Sequence, residues 1–290
     1  MLTDTHCHIH DAELNLLGQD TKRLLWGNPP SANPNDMIVQ AKKQGVGRLI
    51  CVGTTLADSQ RAVAFVQNRP NCWASIGLHP HEAKEGSGAL EGLTTILNSQ
   101  PAKPGVASGG PDDRTRGVAT GNKIVAIGET GLDYFYGHSD KKSQAKALRF
   151  QIELALTHNL PVIFHVRNAF DDFWPIFDSY QGTRGVLHSF TDSYTNFEQA
   201  MQRNLFIGVN GIMTFTKVDE QLQIAKEVPL QKLLLETDAP FLTPKPLRGT
   251  VNVPANVRFV ADFLADLRGQ PLATLATQTS LNAQSLFALG

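Results

Sequence analysis

A chain of 290 residues is ample for one large core, and single α/β barrels commonly fill this range. Hydrophobic residues at 41% exclude disorder throughout. A net charge of -1 with a pI near 6.8 gives no global basic footprint for nucleic acid, so such a substrate would have to be gripped locally or through metal ions. The three cysteines, Cys7, Cys51 and Cys72, lack zinc-type spacing and read as reduced thiols of a cytoplasmic protein. The N-terminus has no basic region followed by an apolar core, and no apolar run approaches a membrane span, which argues against secretion and insertion.

The first predicted element is a short strand from Leu2 to Ile9 carrying Asp4-Thr-His-Cys-His8. Alternation puts His6 and His8 on one face, side by side, and turns Cys7 away. Residues 10 to 34, with Gly27-Asn-Pro-Pro30 and Asn33-Pro34, read as an irregular loop. A helix starts near Asn35-Asp36 and stops at Gln44-Gly45. Val46 to Val52 is the second strand, Ala57 to Asn68 a helix, and Trp73 to Leu78 the third strand, ending in His79-Pro-His81. After a helix near Ala89 to Leu97, the glycine- and proline-rich run at 101 to 121 reads as a flexible surface excursion within a single domain spanning 1–290.

Lys123 to Gly128 is the fourth strand, leading into Glu129-Thr-Gly-Leu-Asp-Tyr134. Residues 140 to 158 form an amphipathic helix. Strands five to eight fall at Pro161 to His165, Gly185 to His188, Asn204 to Val209 and Lys232 to Thr237, and helices near Pro254 to Leu267 and Pro271 to Ala288 close the chain. Eight short apolar strands alternating with helices predict a (β/α)₈ TIM-type barrel. A doubly wound open sheet is the runner-up, disfavoured because His-Cys-His stands where a Gly-x-Gly-x-x-Gly turn would be needed.

Metal-competent residues end strand after strand: His6, His8, His79, Glu129, His165, His188 and Asp238. Singly, each histidine has a bland reading as a hydrogen-bonded core residue, and each acid as a helix cap. In a closed barrel the strand ends converge on one mouth. Burying four histidines and two carboxylates there without a cation would leave unpaired charge. Six ligands, leaving His79 aside, exceed one tetrahedral ion's need, so the expectation is two divalent ions with a bridging carboxylate, and hydrolysis as the reaction class. Zinc, manganese, iron and magnesium all suit the donors.

With those residues assembled, the chain closely resembles the TatD family of metal-dependent deoxyribonucleases, within the amidohydrolase-like barrel superfamily. The resemblance rests on Asp4-Thr-His-Cys-His8, Gly77-Leu-His-Pro80, Gly128-Glu-Thr-Gly-Leu-Asp-Tyr134, His165-Val-Arg-Asn-Ala169, His188-Ser-Phe-Thr191, Gly211-Ile-Met-Thr-Phe215 and Glu236-Thr-Asp-Ala-Pro240. It implies hydrolysis of phosphodiester bonds in DNA, often as a 3′ to 5′ exonuclease on single strands or 3′ ends. It carries metal-ligand roles onto His6, His8, Glu129, His165, His188 and Asp238. Glu129 would bridge the ions, and Asp238 would also take the proton of the attacking water. Neither a membrane nor an obligate protein partner is implied.

The chain departs from the family pattern around Arg167, flanked by Val166 and Asn168, and at Arg248-Gly-Thr-Val-Asn-Val-Pro254, which has lost charges. Arg167 is shaped for phosphate, with a pair to Asp171 or Asp172 as the bland alternative. His79 could donate to a phosphate or be fixed by Pro80 as structure. Glu236 shares parity with Asp238 and is a candidate for fixing a histidine tautomer, while His10, His81, His138 and His158 read as surface or loop residues. Because the same ions polarise carbonyls, cleavage of an ester or amide such as an aminoacyl-tRNA is the competing hydrolase reading. A catalytically silent metal-binding protein is the third.

Overall fold

The computed structural model describes residues 1–13, 33–99 and 123–289. Eight parallel strands are hydrogen-bonded in sequence order: β1 (Leu2–Cys7), β2 (Val46–Val52), β3 (Cys72–Ile76), β4 (Ile124–Asp133), β5 (Val162–Arg167), β6 (Gly185–Leu187), β7 (Phe206–Val209) and β8 (Leu233–Leu235). The ring closes just beyond β8, where Asp238 N donates to His6 O and His8 N to Ala239 O, both at 2.8 Å. Asp4 reinforces that seam from inside: its carboxylate accepts from Thr237 N at 2.9 Å and Thr237 Oγ1 at 2.6 Å. Burial pushes the Asp4 carboxyl up to about 8, against the pull of the Thr237 donors. The expected barrel is therefore the one formed.

Helices α1 (Pro34–Lys43), α2 (Leu56–Val66), α3 (Gly86–Asn98), α4 (Lys141–Thr157), α5 (Phe170–Asp178), α6 (Tyr194–Gln202), α7 (Asp219–Glu227), α8 (Val257–Arg268) and α9 (Leu272–Phe287) connect and flank the strands. Local chemistry starts several of them. Thr55, Asp140 and Ser193 accept from the backbone N–H three residues on, each such cap contributing about 1 kcal/mol. Parity within the strands sets what the barrel encloses. Ile163, Val186 and Leu234 pack with Ile50, Val52 and Val125 and with Leu286 and Phe287 of α9. Two residues further along the same strands come His165, His188 and Glu236, so an apolar floor lies directly beneath a polar ring.

Two boundaries differ from the sequence reading in ways that matter. β4 runs on through Glu129 to Asp133, pairing with β5 at Gly131↔His165 and Asp133↔Arg167. β8 stops early, so Asp238 sits three residues past it in a left-handed turn with φ 60°, a conformation aspartate tolerates better than most residues. The proposed flexible excursion at 101 to 121 lies outside the described residues, as do residues 14–32 of the proposed first loop. At the edges of that loop, Ile9–Asp11 form a single 3₁₀ turn and Pro34 opens α1. No helix among the described residues is long and apolar enough to cross a membrane.

Candidate metal centre

The six predicted ligands do converge. Glu129 is the hub: its carboxylate lies 2.8 Å from His165 Nδ1, 3.4 Å from His6 Nε2, 3.5 Å from His79 Nε2 and 3.6 Å from His188 Nε2. Asp238 faces the first strand, with Oδ1 3.3 Å from His8 Nε2 and 3.6 Å from His6 Nε2. The rings of His6 and His8 stand 5.1 Å apart, as alternation on one strand requires, and His188 stacks on His6 at 3.7 Å. Close approach of β3 to β4 fixes the hub's height: a Cβ on Gly77 would come within 2.5 Å of the Gly128 carbonyl carbon, beside the Glu129 backbone. Three donor sets result, His6–His8–Asp238, His6–Glu129–His188 and His79–Glu129–His165.

Each histidine's other nitrogen tells which atom is left for the centre. His8 Nδ1 lies 2.8 Å from Val52 O, so it carries the proton and Nε2 points inward. His188 Nδ1 lies 3.0 Å from the buried Glu236 carboxylate, which also accepts from Ser189 N, and this again frees Nε2. His165 Nε2 is held by Asp133 Oδ2 at 3.0 Å, which leaves Nδ1 for the hub. His79 is different, because its Nδ1 accepts from His81 N at 3.2 Å and the proton must sit on Nε2. That tautomer makes His79 a donor and a poor ligand, and burial pulls its pKa down to about 4, keeping it neutral.

Burial alone would neutralise the carboxylates, yet His79, His188 and His6 hold Glu129 well below the usual range, and the His8 contact holds Asp238 down. Burial likewise opposes charge on His8, His165 and His188, but their carboxylate partners win in each case, and Glu236 with Glu129 raises His188 to about 10. His6 is the exception, lowered chiefly by burial. Neither of its ring nitrogens has a hydrogen-bond partner among the described residues, although both are buried. A bare imidazole facing two ionised carboxylates fits a divalent cation, and protein partners alone do not explain it.

Several sequence readings need correction. His10 is not a surface residue: it is buried, with Nε2 3.0 Å from Asp58 Oδ1, and Arg61 pairs with the same oxygen. His81 is no loop bystander either, since its Nε2 meets Asp133 Oδ2 at 3.0 Å. His138 is exposed, and His158 ends α4 half-buried. Arg167 pairs with neither Asp171 nor Asp172; its guanidinium lies 3.9 Å from the Phe135 ring centre, and Asp172 accepts from Tyr134 Oη. Asp133 was missed, although alternation from Glu129 through Gly131 would have found it had β4 been read to its end. The three cysteines are free and buried, and Cys7 packs outward into the core.

The sequence profile of TatD related DNases matches residues 3–288. The chain belongs to this family. Among its TatD relatives, the uncharacterized metal-dependent hydrolase YabD of Bacillus subtilis is 32% identical over 289 residues, covering 99% of both chains. The 3′-5′ ssDNA/RNA exonuclease TatD of Erwinia tasmaniensis is 34% identical over 261 residues, 87% of this chain and 93% of that protein. The crystal structure of YjjV, a TatD homologue from Escherichia coli K12, superposes with a TM-score of 0.81 at 28% identity, covering 100% and 98% of the two chains. Membership places this TatD protein among metal-dependent hydrolases.

The Glu236–His188 contact gives a measurable expectation for this TatD chain. Partners that fix a ligating imidazole are typically worth about 10- to 100-fold in metal affinity. Glu236→Gln should weaken metal binding by that factor in a competition titration with a fluorescent chelator. Unchanged affinity would mean that His188 is oriented by something else.

Proposed function

We propose that this protein hydrolyses phosphodiester bonds at the 3′ ends of single-stranded DNA, using two divalent ions held by His6, His8, Glu129, His165, His188 and Asp238. The observation that carries the reading is His6, buried between Glu129 and Asp238 with neither ring nitrogen hydrogen-bonded among the described residues, so that one imidazole stands where two donor sets meet. When bound, such paired ions polarise a phosphoryl oxygen and provide hydroxide near neutral pH. Glu129, shared by the His6–His188 and His79–His165 sets and 3.4 Å from His6 Nε2, would be the carboxylate that bridges the ions. Asp238 turns Oδ1 to the histidines, which leaves Oδ2 to take the proton of the attacking water. His79 donates from Nε2 to a phosphate oxygen of the bound strand, and Arg167 offers its guanidinium to the next anion. Similarity to a relative named for single-stranded DNA and RNA exonuclease activity supports this substrate class.

The test is a side-by-side assay of purified protein with magnesium, manganese or zinc on 3′- and 5′-labelled single strands and on an aminoacyl ester. Stepwise loss from the 3′ end with little ester turnover is expected. Ester turnover without strand cleavage would replace the proposal by the acyl reading, and bound metal with neither activity would favour a silent metal-binding protein.

A further inference from the structure

Phe135 and Tyr136 are 54% and 53% exposed, in the turn that follows β4 at the mouth of the barrel. Adjacent half-exposed rings beside the candidate metal centre mark a surface suited to an apolar partner. The turn is held in place: Asp133 Oδ1 accepts from Phe135 N at 2.8 Å and from Tyr136 N at 3.3 Å. Its other oxygen holds His165 Nε2, so one buried carboxylate fixes both the aromatic turn and a residue of the metal centre.

The two rings meet edge to face at 4.7 Å, and Tyr136 stacks on His138 at 5.6 Å. The Arg167 guanidinium carbon lies 3.9 Å from the Phe135 ring centre and 4.9 Å from that of Tyr136. Among the described residues no hydrogen bond or ion pair engages that guanidinium, so its donors remain available to an anion. Arg167 follows His165 by two positions on β5 and shares its face. A polyanion with one phosphate at His165 therefore meets a cation next and two aromatic faces beside it. That order of groups matches the alternation of phosphate and base along a nucleic-acid strand.

We propose that Phe135 and Tyr136, with Arg167 laid against them, form a stacking subsite for an unpaired nucleobase adjoining the phosphate at the metal centre. The inference rests on the phosphodiesterase reading and specifies how the strand is recognised. Stacking on an aromatic face tolerates any base but requires that face to be free, so the subsite selects single-stranded ends over paired ones.

Binding of a fluorescein-labelled, phosphorothioate-linked single strand to the metal-loaded full chain, read by anisotropy, tests this. The double variant Phe135→Ala/Tyr136→Ala should bind about 5- to 100-fold more weakly, and Phe135→Trp should bind normally. On the unaltered protein, one abasic position near the 3′ end should produce a similar loss, which the double variant should not deepen. The abasic arm decides the matter even if the double variant melts early. Normal binding by the folded double variant, or no abasic position that matters, while ordinary strands are still degraded, would overturn the subsite alone. Failure of the unaltered protein to bind or degrade any strand, with ester turnover intact, would overturn the phosphodiesterase reading and the subsite with it.

Discussion

Asp238→Asn should lower the rate of single-strand hydrolysis by about 10²- to 10⁴-fold, the usual range for loss of a positioned general base, while metal content stays near normal. Asparagine is the informative replacement because it keeps the shape, an oxygen toward His6 and His8, and a ready left-handed conformation at φ 60°. Alanine would also remove a ligand and strain the turn, which mixes three effects. The checks are kcat on a 3′-labelled strand and metal per chain by elemental analysis. Activity within a few-fold of normal at full metal content would mean that another group takes the proton, and proportional loss of metal and activity would reduce Asp238 to a ligand.

The barrel was legible from eight strands alternating with helices, and the convergence of these polar residues from where they fall at the strand ends. His165 and His188 stand two residues beyond Ile163 and Val186, apolar residues that pack together inside, so a strand pattern with one polar terminus sufficed to place them. What escaped the sequence depends on partners far away in the chain. His10 is buried because Asp58, 48 positions on, accepts its proton, and nothing within the Ile9-His-Asp turn announces that. Asp133 escaped because the predicted fourth strand stops at Gly128, short of both Asp133 and Gly131. Gly131 is there because β5 passes too close for a side chain: a Cβ would stand 1.8 Å from His165 O. Arg167 had two acids nearby in sequence, but β4 and β5 lie side by side and delivered it to Phe135 and Tyr136 instead.

Glu129→Ala should remove more than any other single change, because one carboxylate touches four histidines and, among the described residues, no other acid does so. Two effects compete in the metal-free protein. Deleting one partner of a buried ion pair commonly costs about 3–5 kcal/mol when the remaining charge stays buried and unpaired. Histidines, however, can shed their protons near neutral pH, and His188 and His165 keep Glu236 and Asp133 as partners, so the loss of fold stability should stay below that range. Metal binding has no such escape, since a bridging donor cannot be replaced by its neighbours. The variant should therefore fold, melt within several degrees of the unaltered protein, and carry at most one of the two proposed ions with hydrolysis abolished. Full metal loading without activity would show that Glu129 handles protons and that the ions are held by the histidines and Asp238 alone.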